Sequence, residues 1–584
     1  MKMINKIAAA GLGLAMMGSS AFAQSLADAK KAIDAEQFQK AKSILKNLVT
    51  TEASKDENYF YLGWVYIKQD YPDSAKAVFM KGLNVNANSA LNEVGLGIAA
   101  KLDKDQVGAA ADFAKAISLA GKDSKPYVYI GKGYLLPDGT GKVSPADASA
   151  ALDVLNKGVI ASAVKSKDKT APPASNDADL YSTRGEADRI LLKSNEAYTD
   201  FSTAQTLDPK SPGVFVALGV LWKYADNFDG AADQFKQALA LDPNYGPAYR
   251  EWAETDLRQA QTVPSLASQK VKEAADYYKK YISLTDASVE SEMRYADFLM
   301  NAGDYPTLVQ VTSDLAKSAN ANLRVYRYQM YANFENKDFA AAIAAGTTWL
   351  TKADSKRIIP RDYVYLGRAQ IGAGQDSLGI LNLRKALQLD STQTDLYGEI
   401  AKTLFTKDHK YAEASEAYKD LIAKGTKVKL TDRLYLGLSY YYTFLSQYGS
   451  KVKEIAAKAD TSLLTKADSE FSYVAQKAAP NIPGDVMLYR ARANDYKESD
   501  RNNIKGLAKP YYEKYVEIIV AKGAPDDATK TKLLEAYDYL GAYYEFKEKD
   551  DAKAGDYYGK ARDLDPTNKG ALDYFKRKGG AKSK

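Results

Sequence analysis

The sequence matches itself at a spacing of 34 residues, and that period constrains the fold more than any other feature. Counted from residue 56, Tyr59, Leu62, Gly63, Tyr66, Ala75, Phe79 and Gly82 take positions 4, 7, 8, 11, 20, 24 and 27. Counted from 212, the same positions hold Phe215, Leu218, Gly219, Trp222, Ala231, Phe235 and Ala238, with Pro243 at 32. Counted from 178, Tyr181, Gly185, Ala197, Phe201, Ala204 and Pro209 fall into the same register. Starts at 22, 56, 90 and 124 follow without a gap, as do 178, 212 and 246, then 289 and 323, then 360 and 394.

Helical geometry reads this pattern directly. Positions 4, 7, 8 and 11 share one face of a first helix, and 20, 24 and 27 one face of a second. Small residues at 8 and 20 let the two helices approach closely. Proline after Leu-Asp, as in Leu207-Asp208-Pro209 and Leu564-Asp565-Pro566, ends the second helix. One such pair cannot bury its apolar face, so neighbours stack. On these residues the chain resembles the tetratricopeptide-repeat (TPR) family, with about 14 units across residues 25–567. The resemblance implies an all-α, TPR-type α-solenoid whose first helices line a concave groove at positions 2, 5, 9 and 12–13. Candidate partner-binding residues at or near those positions are Phe60, Trp64, Tyr224, Arg324, Arg327, Tyr331, Phe334, Arg361, Arg368, Tyr441 and Tyr442. Aromatic and arginine side chains on an exposed groove are typical binding anchors. The family's carboxylate clamp of paired lysine and asparagine is absent from consecutive units, so chaperone-tail binding is not carried over.

The first 23 residues read as an address. Lys2 and Lys6 precede an apolar run from Ile7 to Met17, and Ala21-Phe22-Ala23 offers small residues for cleavage after Ala23. The residue that follows is Gln24, not a cysteine that could be lipidated. Loss of Lys2 and Lys6 leaves 78 basic against 74 acidic residues, too even a balance for a nucleic-acid partner. No later apolar run is long enough to span a membrane. The expected location is the periplasm, or outside the cell.

Composition removes most catalytic chemistry. There is no cysteine and one histidine, His409, so thiolate nucleophiles, sulfur-ligated metals and two-histidine zinc motifs cannot be assembled. Gly139-Thr140-Gly141-Lys142 has Leu136 where a phosphate loop needs glycine and Val143 where it needs serine or threonine. Gly372-Ala373-Gly374 meets Ser377 in place of the third dinucleotide-binding glycine. His409 falls in the turn between the two helices of its unit. Asp208 and Asp242 recur at the repeat's own turn and read as local caps. No cofactor and no enzyme activity is expected.

Departures from the period mark the rest of the organisation. Insertions fall at 136–143, around 262–269, between Tyr440 and Ala467, and over 491–507. The polar, proline-bearing segment 165–177 reads as a linker between blocks 24–164 and 178–567, with a capping helix and basic tail over 568–584. The expectation is an exported scaffold that binds envelope proteins or peptides on its concave face. Alternatives are a glycan- or peptide-binding module, or a non-catalytic accessory to a secretion or transport complex.

Overall fold

The computed structural model describes residues 25–137, 141–165, 167–168, 170–317, 322–498 and 504–580. The expected address segment 1–23, part of the 136–143 and 491–507 insertions and the last four residues lie outside them. The described residues form thirty α-helices and no strand. They build fourteen antiparallel pairs, from Leu26–Asp34 with Phe38–Thr51 to Asp527–Ala542 with Asp551–Leu564. The helix Lys569–Gly580 follows the last pair and buries Ala571 and Tyr574.

The small residues at position 8 do what the register requires. A Cβ on Gly63 would sit 2.2 Å from the Phe79 ring, and one on Gly219 would sit 2.5 Å from the Phe235 ring. Each glycine thus receives the position-24 aromatic of its own unit. Ala75 and Ala231, at position 20, are fully buried beside them. Asp208, Asp242 and Asp565 accept from the backbone N–H two residues on, at 3.1, 3.0 and 2.8 Å, and so close the turn between units.

Between the two helices of a unit the chain crosses into left-handed backbone at position 15. Glu36, Asp70, Lys104, Leu192, Asp226, Gly303, Lys337 and Gly374 all have φ between 54° and 78°. In the unit from 534 this residue is Lys549, one place late, and its second helix also runs one residue late. The cause is a π-helical stretch, Tyr543–Glu548, which inserts a residue into the end of the first helix. The extra residues around 262–269 lengthen the pair Gly246–Thr262 and Ala267–Leu284 to 17 and 18 residues, against 13 and 14 in the unit from 212.

The chain divides into two compact units, up to Val325 and from Tyr326. The helices on either side of 165–177, Pro145–Ala161 and Ala178–Ile190, share one core through Leu155, Val159, Leu180 and Tyr181. That segment therefore joins packed neighbours inside the first unit, and the break between compact units falls elsewhere.

Candidate functional site

The first unit closes on itself. The left-handed turn at Glu36, in the first pair, meets the seventh pair: Arg250 Nη1 donates to Glu36 Oε1 at 2.5 Å and Tyr281 Oη to Glu36 Oε2 at 2.9 Å. Gln39 N donates to Asp286 Oδ2 at 2.6 Å, and Lys31 Nζ lies 3.5 Å from Asp242. Ala35 enters the apolar cluster of Phe215, Val216, Tyr245 and Ala248. The three hydrogen bonds join residues more than 200 apart in sequence.

Closure encloses a concave lumen of about 770 Å³. Its wall confirms the repeat register, because the first helices contribute residues at positions 2, 5, 9 and 12–13. From 212 these are Gly213, Val216, Val220, Lys223 and Tyr224; from 246 they are Pro247, Arg250, Glu254 and Arg258. Opposite charges interleave there. Lys223 Nζ pairs with Glu251 at 2.8 Å, Arg250 Nε with Glu251 at 3.2 Å, and Arg258 Nε with Asp226 at 2.8 Å.

Enclosure and pairing act oppositely on the acids. For Glu251, burial pushes the carboxyl up, but Lys223 and Arg250 outweigh it and bring it down to about 2. Glu36 is likewise raised by burial and then held below its ordinary value by Arg250, Lys68 and the Tyr281 hydroxyl. Asp34 lacks such a partner. Its side chain meets the lumen's solvent, yet the protein around it pushes its carboxyl up to about 6; Lys132 opposes that rise and Asp179 adds to it.

The eleven sequence candidates fall into three groups. Phe60, Trp64, Tyr331 and Tyr441 are buried and present no surface to a partner. Tyr129, from two units on, packs its ring 4.7 Å from Phe60 and 5.3 Å from Trp64. Tyr489 covers Tyr441 at 5.5 Å, and Tyr331 donates to the buried Asp362 at 2.5 Å. A second group is engaged within the protein. Arg324 pairs with Asp297 at 3.0 Å, Arg327 with Asp362 at 2.8 Å and Arg368 with Glu399 at 2.5 Å. Half-buried Phe334 meets Tyr365, and half-buried Tyr442 hydrogen-bonds Tyr489 at 2.9 Å. The third group is Arg361 and Tyr224, which stay exposed. Arg361 lies over the Tyr331 and Tyr365 rings at 5.2 and 5.3 Å. Tyr224 alone of the eleven lines the lumen.

Lys132, Arg189, Arg250 and Arg258 also line the lumen at groove positions of their units, and they are not among the eleven sequence candidates. His409 is exposed in its turn, with φ 53° and Tyr411 Oη 3.2 Å from Nδ1. Among the described residues no group of histidine and carboxylate side chains is arranged to hold a metal, and no helix is long and apolar enough to cross a membrane.

No protein-family model and no curated protein matches the chain. Solved structures do. The C-terminal part of a TPR repeat-containing protein from Cytophaga hutchinsonii is 30% identical, over 48% of this chain and 98% of that one, at a TM-score of 0.35. A tetratricopeptide repeat protein from Parabacteroides merdae is 15% identical over 48% of this chain and 98% of its own, at 0.28. The structure of the APC/C hetero-tetramer Cut9–Hcn1 gives 14% identity over 91% and 97%, at 0.31. With a relative 30% identical of which it covers almost the whole length, and with fourteen helix pairs built on the 34-residue repeat, the chain belongs to the tetratricopeptide-repeat family.

Proposed function

We propose that the protein is an exported scaffold that binds other envelope proteins or peptides on its concave face and performs no reaction of its own. The closed first unit carries this reading. Its lumen is large enough for a polypeptide segment, and charged side chains and Tyr224 line it at the repeat's groove positions. Such walls favour a partner by shape and by exchange of ion pairs. The lack of cysteine and the turn position of His409 support binding without catalysis. Export rests on Lys2, Lys6, the apolar run and Ala21-Phe22-Ala23.

The test is recovery of partners from the cell envelope by a tagged full-length chain. Val220→Arg and Lys132→Glu alter the lumen wall at half-buried positions. Each should lose partners that the parent retains, at an unchanged melting temperature. Retention of every partner by both variants would make the segments 136–143 and 443–465 the better contact surface.

A further inference from the structure

One unit breaks the repeat's own rule at position 15. Of the eight left-handed residues there, seven are charged or glycine, and the eighth is Leu192, with φ 62°. A β-carbon makes that backbone costly, and glycine, asparagine and aspartate tolerate it best. The leucine gains no burial in return, since it is 87% exposed.

The next unit shows what this position does elsewhere. Asp226, at position 15, accepts from Arg258, at position 13 of the following unit, at 2.8 Å. The residues equivalent to Asp226 and Arg258 one unit earlier are Leu192 and Tyr224. A polar link has become an apolar pair, and the pair does not close: Tyr224 is 56% exposed. Between them lies a notch of about 800 Å³, with Trp222 and Tyr198 in its wall, their ring centres 5.7 Å apart. Tyr198 is itself 47% exposed.

Charge identifies the kind of occupant. Of the residues lining the notch, Arg189 alone is charged. Its guanidinium, paired on two nitrogens with Glu186, lies 5.3 Å from the centre of the Tyr224 ring, where Lys223, held by Glu251, and Arg258 also gather at 5.1 and 5.8 Å. The Arg258–Asp226 pair is more than a third exposed on both sides. Exposed pairs contribute little, so Arg258 can change partners at small cost.

We propose that this notch docks a short linear peptide motif in which a bulky apolar side chain is followed by a carboxylate. The apolar side chain packs among Leu192, Tyr198 and Trp222. The carboxylate meets Arg258 beside Tyr224, taking the place of Asp226, while Arg189 stays paired with Glu186. The site sits at the turn edge of the stack; it shares Arg189 and Tyr224 with the lumen, but Leu192 lies outside the lumen wall.

Three fluorescein-labelled hexapeptides test this against the full chain by anisotropy: Gly-Ser-Phe-Leu-Asp-Glu, Gly-Ser-Phe-Leu-Lys-Lys and Gly-Ser-Ser-Ser-Asp-Glu. The first should bind at least about tenfold tighter than either other, a difference of about 1.4 kcal/mol. Leu192→Asn suits the left-handed turn, so it should keep or raise the melting temperature while weakening the first peptide at least about tenfold. Several outcomes overturn the proposal: no binding of the first peptide at millimolar concentration, equal binding of the acidic and basic peptides, or unchanged affinity in Leu192→Asn. So does a self-associated chain that Leu192→Asn dissociates, since the notch would then hold a second copy. Because Leu192 is not a lumen residue, loss of peptide in this variant bears on the notch alone.

Discussion

Gly219 shows how far a single residue could be read from the sequence. The period places a small residue at position 8 and an aromatic at 24, and the Phe235 ring fills the space a Cβ would need. Gly219→Ala is expected to destabilise the protein by about 1–3 kcal/mol, the usual cost of overpacking, read as a lower denaturation midpoint. The groove candidates were less legible. Period identifies the face on which Phe60 and Trp64 lie, but not how closely later units fold over that face. Tyr129 supplies the covering ring, and its role depends on a contact between units that no single unit's pattern contains. Spacing alone likewise marks Arg327 and Tyr331, and their partner Asp362 lies a unit further on.

Helices were legible as pairs, and their departures from ideality were not. The delayed second helix in the unit from 534 shows in the sequence as a register slip; its cause, the π-helical stretch, shows only in the backbone. Asp362 illustrates a tie between elements. Its buried carboxylate accepts from Arg327 at 2.8 Å, Tyr331 at 2.5 Å, Trp349 Nε1 at 3.0 Å and Ile359 N at 3.0 Å. It thereby links the helices Arg324–Glu335, Phe339–Lys352 and Pro360–Gly372. Removing one member of a buried pair strands the other, at a typical cost of about 3–5 kcal/mol. Asp362→Ala should therefore lose stability in that range by chemical denaturation, far more than an exposed carboxylate such as Glu416→Ala.

At the scale of the molecule, the 34-residue period shows that pairs stack, but not that the seventh pair returns to the first. Glu36 and Arg250 look unremarkable in their own units, and their pairing follows from the accumulated rotation of those between them. Closure also sets a pH dependence. The folded state holds the Asp34 proton more tightly than the unfolded chain does, because its carboxyl is raised from 3.8 to about 6. Its contribution to stability therefore declines as pH rises through that interval and is flat above it. Asp34→Asn should melt higher than the parent at pH 7.5 and level with it near the ordinary carboxylate value of about 3.8, as scanning calorimetry at the two pH values will show. The returning contact has a mechanical consequence as well. In an open stack each end repeat has one neighbour and frays first, with stability adding along a line. The first pair here has neighbours on two sides, so peeling it away breaks two interfaces at once. The N-terminal helices should exchange their amide hydrogens as slowly as mid-stack ones, and the repeats between them should melt as one cooperative block rather than unzip from that end.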